Sequence, residues 1–367
     1  MSLVRNAKKE EMTSRERVRM AFNRHEADRV PVNYLANPGI DTRLKKYFGL
    51  KADDNLGLMN ELGVDFLGIE PSYTGPEIHP QVPDRAVHKL WGTRCRWIEH
   101  QSGGYWDYCD FPLKDAEMEA VERWPLPNPD DFNYKLVYEN CKRYGNYALF
   151  YGDAGLADIM NGMGMLFGTE RVYIAMADPD DALMRFIDRK IEVQLSIMQR
   201  ALEASDGNFT FVWMGEDLGT QRGPLISLSA YREIIKPRHQ RFIDLAKSYG
   251  LPVMIHSCGS SSWAFDDMAE MGIDVVDTLQ PEAANMSPEY LKSTYGSKLA
   301  FHGCISTAGP LSFGTESEVT ENVKNTLEVM MPGGGYSMSP THSIQDNTPT
   351  ENVIALYKAT HQYGWYI

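Results

Sequence analysis

The sequence predicts an α/β protein built on a (β/α)8 barrel, the TIM-barrel architecture, and three observations carry that expectation. Eight short β-type runs alternate with amphipathic stretches of helical length, which implies parallel strands joined by helical crossovers. The length, 367 residues, suits one such barrel with insertions. No Gly-x-Gly-x-x-Gly turn follows the first run, so the nucleotide fingerprint of the rival doubly wound sheet is missing.

The elements follow in chain order. Thr13-x-x-Glu16 is a capping-box pattern, and Val18, Ala21 and Phe22 supply an apolar stripe, so a helix starts there. Residues 1–28 read as an N-terminal helical arm. Strands are expected at 30–35, 66–71, 147–152, 209–214, 252–257, 274–279, 299–305 and 335–339. Helices are expected at 54–62, 182–205, 229–248, 263–271, 287–295, 316–331 and 350–363. Residues 72–146 break the rhythm. Their runs 86–98 and 105–111 read as an antiparallel excursion turning at Gln101-Ser-Gly-Gly, followed by a Pro-rich connector from Trp124. This stretch is read as an insertion after strand two, lying over one barrel end, within a single domain spanning 1–367.

Composition narrows the function classes. Apolar residues make up 43% of the chain and charged residues 23%, which suits a globular protein with a large core and excludes wholesale disorder. Thirty-six Lys and Arg against fifty Asp and Glu give a net charge of −14, without any basic run, so nucleic acid and anionic membranes are not expected partners. The first residues are basic but lack a following apolar run, and the weakly charged stretch 147–168 holds Asp153, Asp158 and several glycines. Neither a secretory signal nor a membrane span is expected, and the reading is cytoplasmic. The five cysteines, Cys95, Cys109, Cys141, Cys258 and Cys304, are odd in number and widely spaced in a large chain, so reduced thiols are expected.

Barrel active sites form at the C-terminal ends of the strands, which selects the residues that finish each strand. These are Asn33, Tyr34, Glu70, Tyr73, Tyr151, Asp153, Glu216, Asp217, His256, Cys258, Gln280, His302, Cys304, Ser339 and His342. His256-Ser-Cys258 is the sharpest of them. Alternate residues on a strand share a face, and imidazole nitrogen with thiolate sulfur is a preferred donor pair for Zn²⁺. Strand seven repeats the spacing with His302-Gly-Cys304, and His342 follows strand eight, so His256, Cys258, Cys304 and His342 are the candidate metal ligands. For His302 and Cys304, packing near the strand end is the competing reading. Asp153, Glu216 and Asp217 are candidate general acids or bases. Asn33, Tyr34, Glu70, Tyr73, Tyr151, Trp213 and Gln280 are candidate substrate-binding residues, with Tyr105, Trp106 and Tyr108 extending an aromatic wall. The run 160–165, Met-Asn-Gly-Met-Gly-Met, reads as a lid or core filler rather than a metal box.

Taken together, Thr13-Ser-Arg-Glu-Arg-Val-Arg-Met-Ala-Phe, Asp28-Arg-Val-Pro-Val, His256-Ser-Cys-Gly, Gly335-Tyr-Ser-Met-Ser-Pro and Thr348-Pro-Thr-Glu-Asn-Val resemble the uroporphyrinogen decarboxylase superfamily, nearly end to end. The resemblance implies a (β/α)8 barrel and one of two chemistries: decarboxylation of uroporphyrinogen without cofactor, or zinc-dependent methyl transfer to or from a corrinoid. True decarboxylases resemble one another in an Arg-rich loop after strand one, whereas this chain has no Arg between Arg29 and Arg43. Asp65 falls loosely at the place of that branch's catalytic aspartate.

The His256 and Cys258 pair is similar to the methyltransferase branch. There the third ligand is a Cys in the loop of strand eight; this chain offers His342 instead, with Cys304 a second candidate and Gln280 falling where related methionine synthases carry a carboxylate. The resemblance implies zinc as Lewis acid, activating a thiol or polarising a methyl ether for attack by cobalt(I). No Asp-x-His-x-x-Gly motif occurs, so the corrinoid is expected on a separate protein. The leading expectation is a methyltransferase of anaerobic metabolism acting on a small methylated substrate, an aromatic methyl ether being one form (O-demethylation). A metal-free decarboxylase and a non-catalytic ligand-binding barrel are the alternatives, and a homodimer is a family-level expectation.

Overall fold

The computed structural model describes residues 10–100 and 103–366. Seven strands form one parallel sheet in sequential order: β1 Phe66–Gly68, β2 Ala148–Gly152, β3 Phe211–Gly215, β4 Val253–Ser257, β5 Val275–Thr278, β6 Ala300–Ile305 and β7 Tyr336–Pro340. They correspond to predicted strands two to eight. The predicted first strand, 30–35, does not form a regular ladder. Val32 makes a parallel bridge to Met338, Asn33 N–H donates to Met338 O, and Asp65 N–H donates to Val32 O, so the segment runs between β7 and β1. Two local causes shorten it: Pro31 has no N–H to give, and the Val32 N–H is taken by the Asp65 carboxylate at 2.8 Å.

Alternation sorts the strand residues into two cores. Phe66, Ala148, Phe150, Phe211, Trp213, Met254, Val275 and Ala300 form an inner cluster, while Leu149, Tyr151, Val212, Met214, Val253, Ile255 and Val276 pack outward with the helices. Val18, Ala21 and Phe22 of the helix Ser14–Phe22 complete the inner cluster, with the Phe22 ring 4.9 Å from that of Phe211. Because Phe66, Phe211 and Ala300 open their strands, this helix covers the N-terminal end of the sheet.

The helix is fixed by charge as well. Buried Arg17 and Arg29 both donate to Asp65, at 2.7 Å each, and Arg17 also donates to Asp28 at 2.6 Å. Ser14 Oγ gives Asp65 a further hydrogen bond at 2.7 Å. Asp65 therefore sits at the end of the sheet opposite His256 and Cys258, with its oxygens held by cations, a hydroxyl and a backbone N–H. That corrects the alignment of Asp65 with a catalytic aspartate.

The outer helices lie close to expectation, including Asp181–Ala204, Glu316–Met330 and Thr350–Tyr363. The predicted helix 229–248 is interrupted by a π-helical turn, Tyr231–Ile235, next to Pro237, which can donate no helical hydrogen bond. The run 160–165 lies in the helix Met160–Phe167, whose Met160, Met163, Leu166 and Phe167 are buried, so it fills core rather than forming a lid. Between β1 and β2, Arg94–His100 and Gly103–Cys109 pair antiparallel, with Trp97 opposite Trp106. Gln101 and Ser102 of the expected turn lie outside the described residues. Among the described residues no helix is long and apolar enough to cross a membrane.

Candidate metal centre

Three adjacent strands set the site. The register places Asp277 of β5 beside His256 of β4 on one side and His302 of β6 on the other. All three continue the inward-facing series begun by Met254, Val275 and Ala300, so their side chains meet inside the sheet. His256 Nδ1 lies 2.8 Å from Asp277 Oδ2, and His302 Nδ1 lies 2.5 Å from Asp277 Oδ1. Thr278 Oγ1 also lies 2.7 Å from His256 Nδ1. Asp277 was missed by the sequence reading. Its signal was an acid at an inward position of an otherwise apolar strand, which needs a partner to be tolerated there.

Above this level, His256 Nε2 lies 3.3 Å from Cys258 Sγ. Asp217, at the end of β3, approaches from the next strand, its Oδ1 3.7 Å from His256 Nε2 and accepting the Cys258 N–H at 2.8 Å. One ligand atom from each of Asp217, His256 and Cys258 falls within 4.8 Å of the others. The loop that carries Cys258 is held from both sides: Ser260 N–H donates to Thr220 O, and Gly259 N–H donates to Gln280 Oε1 at 2.7 Å. Gly259 needs its left-handed φ of 70° there, and a Cβ would come within 2.3 Å of Gly219 O.

The electrostatics follow from burial and pairing. Burial opposes the charge of Asp277, yet the His302 and His256 imidazoles hold its carboxyl well below the usual carboxylate range. Burial likewise opposes a charged His256, but the hydrogen bonds to Asp277 and Cys258 raise its pKa well above the ordinary value. Burial pushes the Cys258 thiol up, and His256 only partly offsets this.

The donor set fits zinc. With Zn–N and Zn–S bonds of about 2.05 and 2.3 Å, a tetrahedral centre separates N and S by about 3.6 Å, close to the spacing seen. Asp277 supplies the carboxylate that metal-bound histidines usually engage through their other ring nitrogen.

The other candidate residues are distributed differently. Cys304 is corrected as a ligand. Gly303 and Cys304 both have positive φ, 124° and 67°, which breaks the strand alternation and turns Cys304 into the outer core. There burial pushes its thiol far up. Cys304→Ala is therefore expected to leave metal content unchanged, as elemental analysis would show. His342 is exposed and, among the described residues, belongs to no ligand cluster.

Tyr151 is also corrected: it faces the outer core against Phe209, at 6.2 Å between rings. Glu216 is 1% exposed and accepts the Ile159 and Met160 N–H groups at 2.9 and 3.0 Å, anchoring the helix Met160–Phe167 rather than facing the sheet interior. Asn161 of that helix donates to Asp217 Oδ2 at 2.8 Å. Asp153 is exposed and accepts its own loop's Gly155 N–H. Glu70 Oε1 accepts Gly152 N–H at 2.6 Å. Tyr34 donates to Asp41, and Tyr73 is paired into a small ladder with Phe132–Asn133, its hydroxyl on Pro76 O. Trp213 lies in the inner cluster, its ring 6.5 Å from that of His256. Asn33 Nδ2 lies 3.2 Å from His302 Nε2.

Residues 159–363, more than half of the chain and including the His256 and Cys258 strand, match the model of the uroporphyrinogen decarboxylase (URO-D) family. The chain belongs to that family. A curated URO-D relative, the uroporphyrinogen decarboxylase of Anaeromyxobacter dehalogenans (strain 2CP-C), is 25% identical over 158 residues, 42% of this chain. The match spans 39% of that relative's length. Among solved structures, a methyltransferase from Methanosarcina mazei superposes with a TM-score of 0.64 at 18% identity, covering 96% of this chain and 99% of that one. That likeness shows a shared fold. The URO-D match thus takes in the His256 and Cys258 pair, and Asp217 and Asp277 lie within the same matched span.

Proposed function

We propose that this URO-D family chain is a zinc-dependent methyltransferase, moving a methyl group between a small methylated substrate and a corrinoid carried by a separate protein. The observation that carries the reading is the convergence of His256 Nε2, Cys258 Sγ and an Asp217 oxygen, with Asp277 behind the histidine. We further infer that residues 30–35 serve as the eighth stave of a closed (β/α)8 barrel, with an N-terminal helical arm and residues 72–146 inserted after the second stave, all in one domain. The bridge from Val32 to Met338 and the bond from Asp65 N–H to Val32 O support this.

Zinc bound there would supply a Lewis acid with an open position, able to activate a thiol or polarise a methyl-ether oxygen. The chain's own residues do the rest. His256 at the end of β4 and Cys258 in the loop just after it would hold the ion, and Asp217, just past the end of β3, would close the set. Asn161 and the Cys258 N–H orient the Asp217 carboxylate, and Gln280 fixes the loop behind Cys258. Trp213, its ring 6.5 Å from that of His256, and Phe150, 5.6 Å from Trp213, supply apolar surface beside the centre.

The test is methyl transfer from a panel of methyl ethers and methyl thiols to free cobalt(I) corrinoid, followed by the spectral change of cobalt on methylation. Transfer that is lost on chelation and restored by zinc is expected. Carbon dioxide release from a tetrapyrrole carboxylate by the chelated protein would favour the second reading, a metal-free decarboxylase. The match to a curated decarboxylase favours that reading. Against it stand the placement of Asp65 at the far end of the sheet and the loop without Arg between Arg29 and Arg43.

A further inference from the structure

The buried polar groups behind His256 form a chain with a fixed direction, which starts on a backbone amide and can be followed bond by bond. Tyr34 N–H donates to Asn33 Oδ1 at 2.8 Å, and this fixes which end of the Asn33 amide is the oxygen. The Asn33 Nδ2 group therefore faces His302 Nε2, 3.2 Å away, and donates to it. An imidazole nitrogen that accepts is unprotonated, so neutral His302 carries its proton on Nδ1. That proton points at Asp277 Oδ1, 2.5 Å away. Asp277 can only accept, so its other oxygen takes the Nδ1–H of His256 at 2.8 Å, and Thr278 Oγ1, 2.7 Å from the same nitrogen, can then only share that proton as a second acceptor. His256 is left with Nε2 as the atom it shares with Cys258 Sγ, 3.3 Å away.

Asn33 and His302 are 7% and 1% exposed, so both are enclosed behind His256. Their elements also differ: Asn33 lies between the sheet edges and His302 in the middle of β6, yet both converge on the carboxylate behind the ligand histidine.

We propose that Asn33 and His302 are positioning residues that, through Asp277, fix the tautomer and ring orientation of His256 and so set the metal affinity of the centre. This rests on the metal-site reading above and changes the role expected for Asn33 from substrate binding to support of a ligand. Groups that hold a ligand from behind change metal affinity without touching the ion.

The test has two arms, so that failure of the inference is distinguishable from failure of the metal-site reading. In the first arm, metal-free protein with ¹⁵N-labelled imidazoles is examined by long-range ¹H–¹⁵N correlation. His302 is expected with Nδ1 protonated and Nε2 bare, and Asn33→Asp, which offers a carboxylate oxygen in place of the amide donor, is expected to put a proton on Nε2. The opposite tautomer in the unaltered chain, or no response to Asn33→Asp, would overturn the proposal. In the second arm, cobalt(II) is titrated into the protein and read by its thiolate charge-transfer absorption. His302→Leu is expected to weaken binding roughly 10- to 100-fold, whereas His302→Asn, which keeps an N–H where Nδ1 stood, is expected to stay within about threefold. Equal losses in both variants, with matching melting temperatures, would leave His302 a packing residue and sink the idea. An unaltered chain that binds no cobalt would count against the metal-site reading, and the first arm would then decide the relay alone.

Discussion

Replacing Asp65 with Ala is expected to destabilise the protein by about 3–5 kcal/mol, measured as a lowered midpoint in urea or a lowered melting temperature. The magnitude follows from what is left behind. Arg17 and Arg29 are both buried, and both donate to the Asp65 carboxylate at 2.7 Å. Removing it takes from Arg17 and Arg29 their one fully buried carboxylate, leaving Arg17 to Asp28 and Arg29 to the partly exposed Glu10, and it leaves the Ser14 hydroxyl and the Val32 N–H without their acceptor. The helix Ser14–Phe22, which covers one end of the inner core, would lose its anchor at the same time.

The same network sets an acid limit. Burial opposes the Asp28 charge, but the hydrogen bond and charge of Arg17 dominate and lower its pKa to about 2; Asp65 is lowered as well, by Arg29 and Arg17 against burial. Groups with depressed folded pKa values contribute stability that is complete above the unfolded carboxylate range and is lost as pH falls through the folded values. Stability is therefore expected to fall from about pH 4 towards pH 2. In Asp65→Ala part of that dependence should be gone, because one of the titrating groups has been removed. A pH profile of the melting temperature for both proteins checks the sign.

Cys258→Ser is expected to lower zinc-dependent methyl transfer by at least about a thousandfold while leaving the fold intact. A serine hydroxyl keeps the volume but is a poor ligand for zinc beside imidazole, and the ligand count falls below the three that catalytic zinc sites use. Cys258 is also only partly buried, and its backbone N–H continues to serve Asp217. The loop should therefore hold its shape. A non-catalytic barrel would show little change in ligand affinity in this variant, and a decarboxylase would retain turnover, so one substitution separates three functions.

Much of this was legible in the sequence because it depended on period. The β-then-α alternation pointed to the parallel sheet, Thr13 and Glu16 marked the first helix by its capping box, and the spacing of His256 and Cys258 marked them as neighbouring donors, although β4 ends at Ser257 and Cys258 opens the loop after it. What escaped was set by neighbours. Asp217 reads as a general acid or base until β3 and β4 are laid side by side and its oxygen falls beside His256 Nε2. Asp277 carries no motif of its own; only the registers of β4, β5 and β6 show that it lies between two histidines.

Cys304 shows the converse failure. Its spacing from His302 repeats that of Cys258 from His256, but two successive positive φ values turn it to the other side of the sheet. Gly303 permits the first of these, since at φ 124° a Cβ would lie 2.2 Å from Thr278 O. The glycine between His302 and Cys304 was the available signal, whereas His256 and Cys258 are separated by a serine. Residues 30–35 show no regular ladder for a related reason: the apolar run is real, but Pro31 offers no N–H and the carboxylate of Asp65 takes that of Val32, leaving the Asn33 N–H on Met338 O.

If Asp217, His256 and Cys258 hold a zinc ion, elemental analysis of the purified protein shows it. Protein purified without chelator or metal-affinity resin would be measured beside the His256→Ala/Cys258→Ser double variant, with melting temperatures confirming that both are folded. Near-stoichiometric zinc in the unaltered chain and almost none in the variant is the predicted result. An unaltered chain that remains free of metal after incubation with zinc would rule out the metal centre and leave His256 and Cys258 as lining of a metal-free pocket.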